Sequence, residues 1–185
     1  MLTAAVALLD SGGALSAGLV AAAVHEGGHL VTMLISPATR VTAFCVTPFG
    51  LRITSRGGAS SAPTWQLVCV SGVIANLITA ALIYLCVSIA GGEFTFAYTL
   101  MTANLGLATV NLMPVIPLDG GQLLRAWLVP LGEERAEKVS LTVSLSASLP
   151  MLTAGFFILM RSKGNFSLLL MGLWLILCIL REYVL

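Results

Sequence analysis

The chain has few charged residues. Of its 185 residues, only 9% are Asp, Glu, Lys or Arg, whereas 58% are hydrophobic. Because a soluble domain usually carries about 25% charged residues, this composition excludes an ordinary soluble domain and indicates a polytopic membrane protein. Nine basic and eight acidic residues give a net charge of +1, so we expect no basic surface for nucleic acid and no nucleic-acid partner.

Paired cysteines and a basic leader are also missing. The four cysteines form no CxxC pair, which argues against a disulfide framework or a zinc knuckle. The N-terminus has no basic n-region, so we expect no removable signal peptide. The opening run MLTAAVALLD is too short to span a membrane alone, and we interpret it as the end of a truncated first helix.

Long apolar runs fill most of the sequence. A spanning helix needs about 20 mostly apolar residues. Five runs reach or approach that length: 14–36, 64–90, 94–112, 139–160 and 165–184. With the short first run, they predict an all-α polytopic membrane protein of about five to six transmembrane helices. We expect residues 1–185 to form a single domain without a soluble regulatory domain.

Residues 38–58 have a different pattern. Alternating apolar residues on both sides of Pro48–Gly50 predict a short β-hairpin after the first long apolar run. If this loop is cytoplasmic, seven of the nine Lys and Arg residues fall on the cytoplasmic side, and only Arg161 and Lys163 fall outside. This charge bias predicts the orientation by the positive-inside rule.

The sequence has only two histidines, and both lie in the segment HEGGH. On a helix His25 and His29 lie one turn apart on one face, and Glu26 is near enough to reach a water on a shared metal. This HExxH spacing is typical of zinc sites with a glutamate as general base. The motif alone is a weak signal in a soluble protein, but ionisable residues in an apolar span are usually functional. We therefore expect one Zn²⁺ per chain.

Small residues surround the motif on the helical wheel. Gly18 and Gly28 fall on the same side as the histidines, together with Ala21, Ala22 and Thr32. A face without bulk lets another helix backbone approach closely, as a buried site requires.

A third zinc ligand is expected, because catalytic zinc usually has three protein ligands. Asp119 is the main candidate, since it follows the Pro114 and Pro117 break in NLMPVIPLDGG. Gly120–Gly121 then let the backbone come close. The alternative is that Asp119 only caps the next helix.

A second polar residue interrupts the apolar run 64–90. In SGVIANLITA, Asn76 shares a stripe with Gly72 and Ala80 at steps of four residues. Its amide is predicted either to bind a substrate carbonyl or oxyanion, or to hold two helices together by a hydrogen bond.

HEGGH in one apolar helix, SGVIAN in the next and NLMPVIPLDGG after the third resemble the site-2 proteases, which are intramembrane zinc metalloproteases. The resemblance covers roughly residues 14–130, with 139–185 as additional helices. Val73 stands where the family usually has proline. The hairpin and the lack of a large insertion are similar to the bacterial sporulation protease that processes a sigma-factor precursor. The resemblance implies zinc ligands His25, His29 and Asp119, the catalytic base Glu26, and supporting roles for Asn76 and Asn111.

The activity implied by this resemblance is cleavage of a membrane-embedded or membrane-associated protein, with membrane proteins as substrate and regulators. The active site would be reached from the cytoplasmic side of the bacterial inner membrane. One alternative is a divalent-metal transporter, but an ion pathway would need more acidic or histidine residues on a second span than Asp119 alone. Another is an inactive relative that only binds membrane proteins, against which the retention of Glu26 argues.

Overall fold

A computed structural model describes residues 13–36, 41–47, 50–55, 62–162 and 167–183. These residues form helices joined by short connections, with one pair of strands near the start. In chain order the elements are α1 (Ala14–Ile35), β1 (Val41–Thr47), β2 (Gly50–Ser55), α2 (Ala62–Ala90), α3 (Thr95–Asn111), α4 (Asp119–Leu128), a 3₁₀ turn (Val129–Leu131), α5 (Glu133–Ser162) and α6 (Ser167–Tyr183).

Among the described residues, three helices are long and apolar enough to cross a membrane. They cover Ala14–Ile35, Trp65–Ala90 and Glu133–Arg161. The apolar stretch Leu168–Arg181 is shorter, and α3 has 17 residues. The chain is therefore an integral membrane protein, whereas the number of five to six spans stays a prediction.

The chain divides into two compact units, Met1–Asn111 and Leu112–Leu185. In the first unit, α1, α2 and α3 all pack against one another. The backbones of α1 and α2 approach each other closely at Gly28, where an added β-carbon would lie 2.6 Å from the backbone oxygen of Ser71 and 2.8 Å from Cβ of Ala75. The close approach predicted for the small-residue face is thus confirmed at Gly28. At Gly18 an added β-carbon would meet no atom within 4 Å among the described residues.

Two antiparallel strands follow α1, in the segment for which the sequence predicts a hairpin. Their register pairs Phe44 with Ile53 and Val46 with Leu51. β2 also contacts α1. Residues 48 and 49, at the predicted turn, lie outside the described part of the chain.

In the second unit, α5 packs against α4 and α6. Two glycines allow α5 and α6 to approach closely. A β-carbon added to Gly155 would lie 2.7 Å from the backbone nitrogen of Leu169, and one added to Gly172 would lie 2.8 Å from Cδ2 of Leu152. Small residues are the usual means by which membrane helices pack without a hydrophobic driving force between them.

The helix α5 is longer than the apolar run from which it was predicted. It begins at Glu133 rather than at residue 139, and it continues through Pro150. The added first turn carries Glu133 and Glu134, which suit the positive end of the helix dipole. Proline is tolerated inside membrane helices because neighbouring groups satisfy the freed carbonyl.

Candidate metal centre

The imidazole of His29 is held in one orientation by the neighbouring helix. Its Nδ1 donates a hydrogen bond to the backbone oxygen of Val68 on α2, at 2.7 Å. A carbonyl can only accept, so Nδ1 carries a proton, and in the neutral ring Nε2 is then the nitrogen with the lone pair. The same carbonyl accepts the hydroxyl of Ser71 at 2.7 Å. A hydrogen bond from the distal ring nitrogen is the usual way in which proteins orient a metal-binding histidine.

The two motif histidines converge on one point. Nε2 of His25 lies 3.2 Å from Nε2 of His29, and their rings are nearly perpendicular, at 81°. Both side chains are buried, with 5% and 9% of their surface exposed. Zinc–nitrogen bonds of about 2.0–2.1 Å at tetrahedral angles separate two ligand nitrogens by about 3.3 Å. The separation therefore fits two ligands of one zinc ion, and it would also fit a single N–H···N hydrogen bond.

Gly72 lies directly in front of these nitrogens. A β-carbon on Gly72 would lie 2.5 Å from Nε2 of His29 and 2.8 Å from both Nε2 and Cε1 of His25. Such distances are too short for real contacts, so any side chain at this position would displace the imidazoles. Glycine alone fits here without displacing the two nitrogens, and their converged arrangement fits a shared metal ion.

Asp119 lies in the second unit, at the start of α4. Its role as the third ligand beside the two histidines stays a prediction. Two imidazoles and one carboxylate are a common ligand set of catalytic zinc. The N-cap of α4 is Leu118, whose side chain makes no capping bond, and Asp119 is the first helical residue. The alternative interpretation of Asp119 as the N-cap is therefore wrong.

The segment before Asp119 folds back onto the first turn of α4. A β-carbon on Gly120 would overlap the backbone oxygen of Leu112, and one on Gly121 would lie 2.5 Å from the backbone nitrogen of Ile116. The sequence predicts that these two glycines let the backbone come close, and the structure confirms it.

Asn76 joins two helices of the first unit. Its side chain is completely buried, and its Nδ2 donates to the backbone oxygen of Ala21 at 3.3 Å. Ala21 lies one turn before His25, so this bond ties α2 to the part of α1 that carries the metal motif. The structure thus shows the interhelical hydrogen bond that was one of the two predicted roles. The Oδ1 of Asn76 has no hydrogen-bond partner among the described residues, and contact with substrate stays a prediction.

The remaining predicted residues are located but not given a role by the structure. Glu26 follows His25 on α1 and is half-buried. Asn111 ends α3, and its Nδ2 donates to the backbone oxygen of Leu107 in the same helix, at 3.0 Å. Both functional roles stay predictions.

Sequence reasoning missed two parts of the centre. It placed Gly72 on a small-residue stripe without detecting its contact with the imidazoles, and it did not assign Ser71. The only available signal was a Ser-Gly pair inside an apolar run, four residues before a buried amide. The carbonyl of Val68 has no sequence signal, because every residue has a backbone carbonyl.

Comparison with known proteins agrees with this geometry. Residues 88–151 match the model of Peptidase family M50. The chain is 30% identical, over 95% of its length, to Rip3 of Mycobacterium tuberculosis, a protein named as a candidate zinc metalloprotease. Its fold is similar to that of a site-2 protease from Methanocaldococcus jannaschii, with a TM-score of 0.68 and 22% identity over 91% of this chain and 76% of that one. The chain is thus similar to Peptidase family M50 in part of its sequence and to a site-2 protease in its fold.

These similarities agree with the resemblance carried by the three motifs. They are consistent with zinc as the ion expected at the two histidines. The M50 match covers the position of Asp119 but not the histidines, so the histidines are singled out by their own geometry alone. The chain spans 46% of the length of Rip3.

Proposed function

We propose that this chain is an intramembrane zinc metalloprotease that cleaves a membrane-embedded or membrane-associated protein. The observation that carries the proposal is the convergence of two buried imidazole nitrogens, 3.2 Å apart, beside a glycine that fits there without displacing them. Ionisable side chains are costly in an apolar bundle, so their burial without a function would be unfavourable. Zinc would be held by His25, His29 and Asp119.

Zinc bound at this site would supply Lewis acidity to polarise a scissile carbonyl and to make a water molecule more nucleophilic. In the proposed reaction, Glu26 accepts a proton from the attacking water as the water oxygen bonds to the carbonyl carbon. The carbon–nitrogen bond then breaks, and Glu26 returns the proton to the leaving amine. The hydrogen bond from His29 to Val68 keeps Nε2 pointed at the ligand position throughout.

We further propose that substrate enters from the cytoplasmic side. Counted to Ile35 at 1.5 Å per residue, His25 lies about 15 Å and His29 about 9 Å from the end of α1. The positive-inside bias places that end of α1 in the cytoplasm, which in a bacterial cell makes the inner membrane the location of the protein. β1 and β2 follow the same end of α1 in sequence, and a free strand edge can take up an extended substrate by strand addition.

The substrate is proposed only by class. A scissile peptide must be extended, because the hydrogen bonds of a helix shield its carbonyl groups. The resemblance to the sporulation protease makes a membrane-associated sigma-factor precursor the first specific candidate to test.

Co-expression tests this function. The native chain and Glu26→Gln are each produced with a set of single-span and membrane-associated precursors, including sigma-factor precursors, tagged at both ends. We expect a shortened product with the native chain and none with Glu26→Gln, because an amide cannot accept the proton. Both proteins should retain zinc.

Glu93→Gln is the matched control, since it makes the same change at an exposed carboxylate outside the motif. It should cleave like the native chain. Equal products with Glu26→Gln would remove Glu26 from the mechanism. Zinc-loaded native protein that cleaves none of the precursors would favour a relative that only binds membrane proteins.

A further inference from the structure

A buried serine of α5 holds the segment that precedes Asp119. The hydroxyl oxygen of Ser144 accepts a hydrogen bond from the backbone N–H of Ile116, at 3.1 Å. Ser144 is completely buried and Ile116 is 4% exposed, so water is not available to either group. A buried N–H without an acceptor is strongly unfavourable, and the N–H of Ile116 therefore depends on this hydroxyl.

This bond differs from the others in the same segment. The N–H of Val115 donates to the backbone oxygen of Met113 at 2.8 Å, and that of Leu118 to the backbone oxygen of Val115 at 2.7 Å. Both of these bonds are local and would persist if the whole segment moved. The bond from Ile116 to Ser144 instead connects the segment to another helix, so it fixes where the segment lies.

Ile116 is in close contact with the first turn of α4. Its backbone nitrogen would lie 2.5 Å from a β-carbon on Gly121, and Gly121 is only two residues after Asp119. Tightly packed groups transmit a displacement rather than absorb it. A shift of Ile116 would therefore be passed to the turn that carries Asp119.

We propose that Ser144 is a positioning residue for the metal centre: by holding Ile116, it fixes Asp119 for metal binding. This inference rests on the proposed function, in which Asp119 is a zinc ligand. Residues that orient metal ligands commonly contribute about 10- to 100-fold to metal affinity or activity. Helix α5 follows the three sequence motifs in the chain and contains none of them. Under this proposal, it helps to position a metal ligand.

The same helix offers a matched control. Ser148 lies one turn further along α5 and is also completely buried. Its hydroxyl donates to the backbone oxygen of Leu145 in its own helix, at 2.9 Å. Ser148→Ala therefore removes the same atom from the same helix without changing the anchor of Ile116.

The test compares the native chain with Ser144→Ala, Ser144→Cys and Ser148→Ala, each purified in detergent. Zinc affinity is measured by competition with a chelator, and backbone hydrogen exchange is measured over residues 112–121. We expect Ser144→Ala to lower zinc affinity about fivefold or more and to speed exchange in this segment. Ser144→Cys preserves the shape but offers a poor acceptor, so it should change both quantities in the same direction. If Ser144→Ala does not fold, Ser144→Cys still tests the proposal. Ser148→Ala should match the native chain.

Asp119→Asn separates this inference from the proposed function. If Asp119→Asn loses zinc while both Ser144 variants bind it like the native chain, the role of Ser144 is overturned and the zinc site stands. If Asp119→Asn also binds zinc normally, Asp119 is not a ligand, and both proposals for this residue fall. An equal loss in Ser148→Ala would indicate general loosening of α5 and would likewise overturn the role of Ser144.

Discussion

Gly72 on α2 lies so close to His29 on α1 that a β-carbon at position 72 would be 2.5 Å from the imidazole Nε2. The place where these two membrane helices pack is therefore also a wall of the candidate metal centre. Small residues normally serve such crossings by letting backbones approach. Here the missing side chain has a second effect, because it leaves the two ligand nitrogens undisplaced.

Gly72→Ala should damage the metal centre more than the fold. The added methyl group must push the imidazoles of His25 and His29 out of their converging geometry, and we expect zinc affinity to fall about tenfold or more. The measurement is chelator competition, with the melting temperature recorded in parallel. Gly18→Ala is the control, because the same change there meets no described atom within 4 Å. Unchanged zinc affinity in Gly72→Ala would show that Gly72 serves helix packing alone.

Loss of either histidine should remove the metal. Native protein is expected to hold about one zinc per chain, and His25→Ala or His29→Ala should reduce this to a small residual fraction, since each removes one of three protein ligands. Metal analysis of folded, purified protein measures the content. Zinc that persists at the native level in both variants would place the ion elsewhere.

Asp119→Asn tests the third ligand. Asp119 is the first residue of α4 and not its N-cap, so Asp119→Asn should leave the helix intact. A neutral amide oxygen is a poorer zinc ligand than a carboxylate. We expect normal folding with about tenfold or greater loss of zinc affinity and loss of most cleavage. Glu93→Gln removes an equal charge at an exposed position and should alter neither property. Native behaviour of Asp119→Asn in both assays would require another ligand.

Much of the architecture was predictable from local sequence. Apolar runs predicted the positions of the long helices, because the length needed to cross a membrane and the cost of charge there both appear in composition. The spacing of His25 and His29 put them on one helix face, because helix periodicity is a property of one segment. Likewise, the Gly120–Gly121 pair predicted that another part of the backbone would come close, although the sequence did not show which part.

Other features depended on which residues the tertiary structure brings together. The roles of Val68 and Gly72 follow from the crossing of α1 and α2, and a sequence does not state which carbonyl or α-carbon will face an imidazole. The two predicted roles of Asn76 were equally compatible with its sequence position, and the bond to Ala21 shows one of them. The contact of Ser144 with Ile116 joins residues 28 positions apart. The helical periodicity of the sequence determined which side chains lie on the same face of a helix. Which residues of another helix each face contacts was decided only by the tertiary structure, because packing depends on the shapes of two distant segments together.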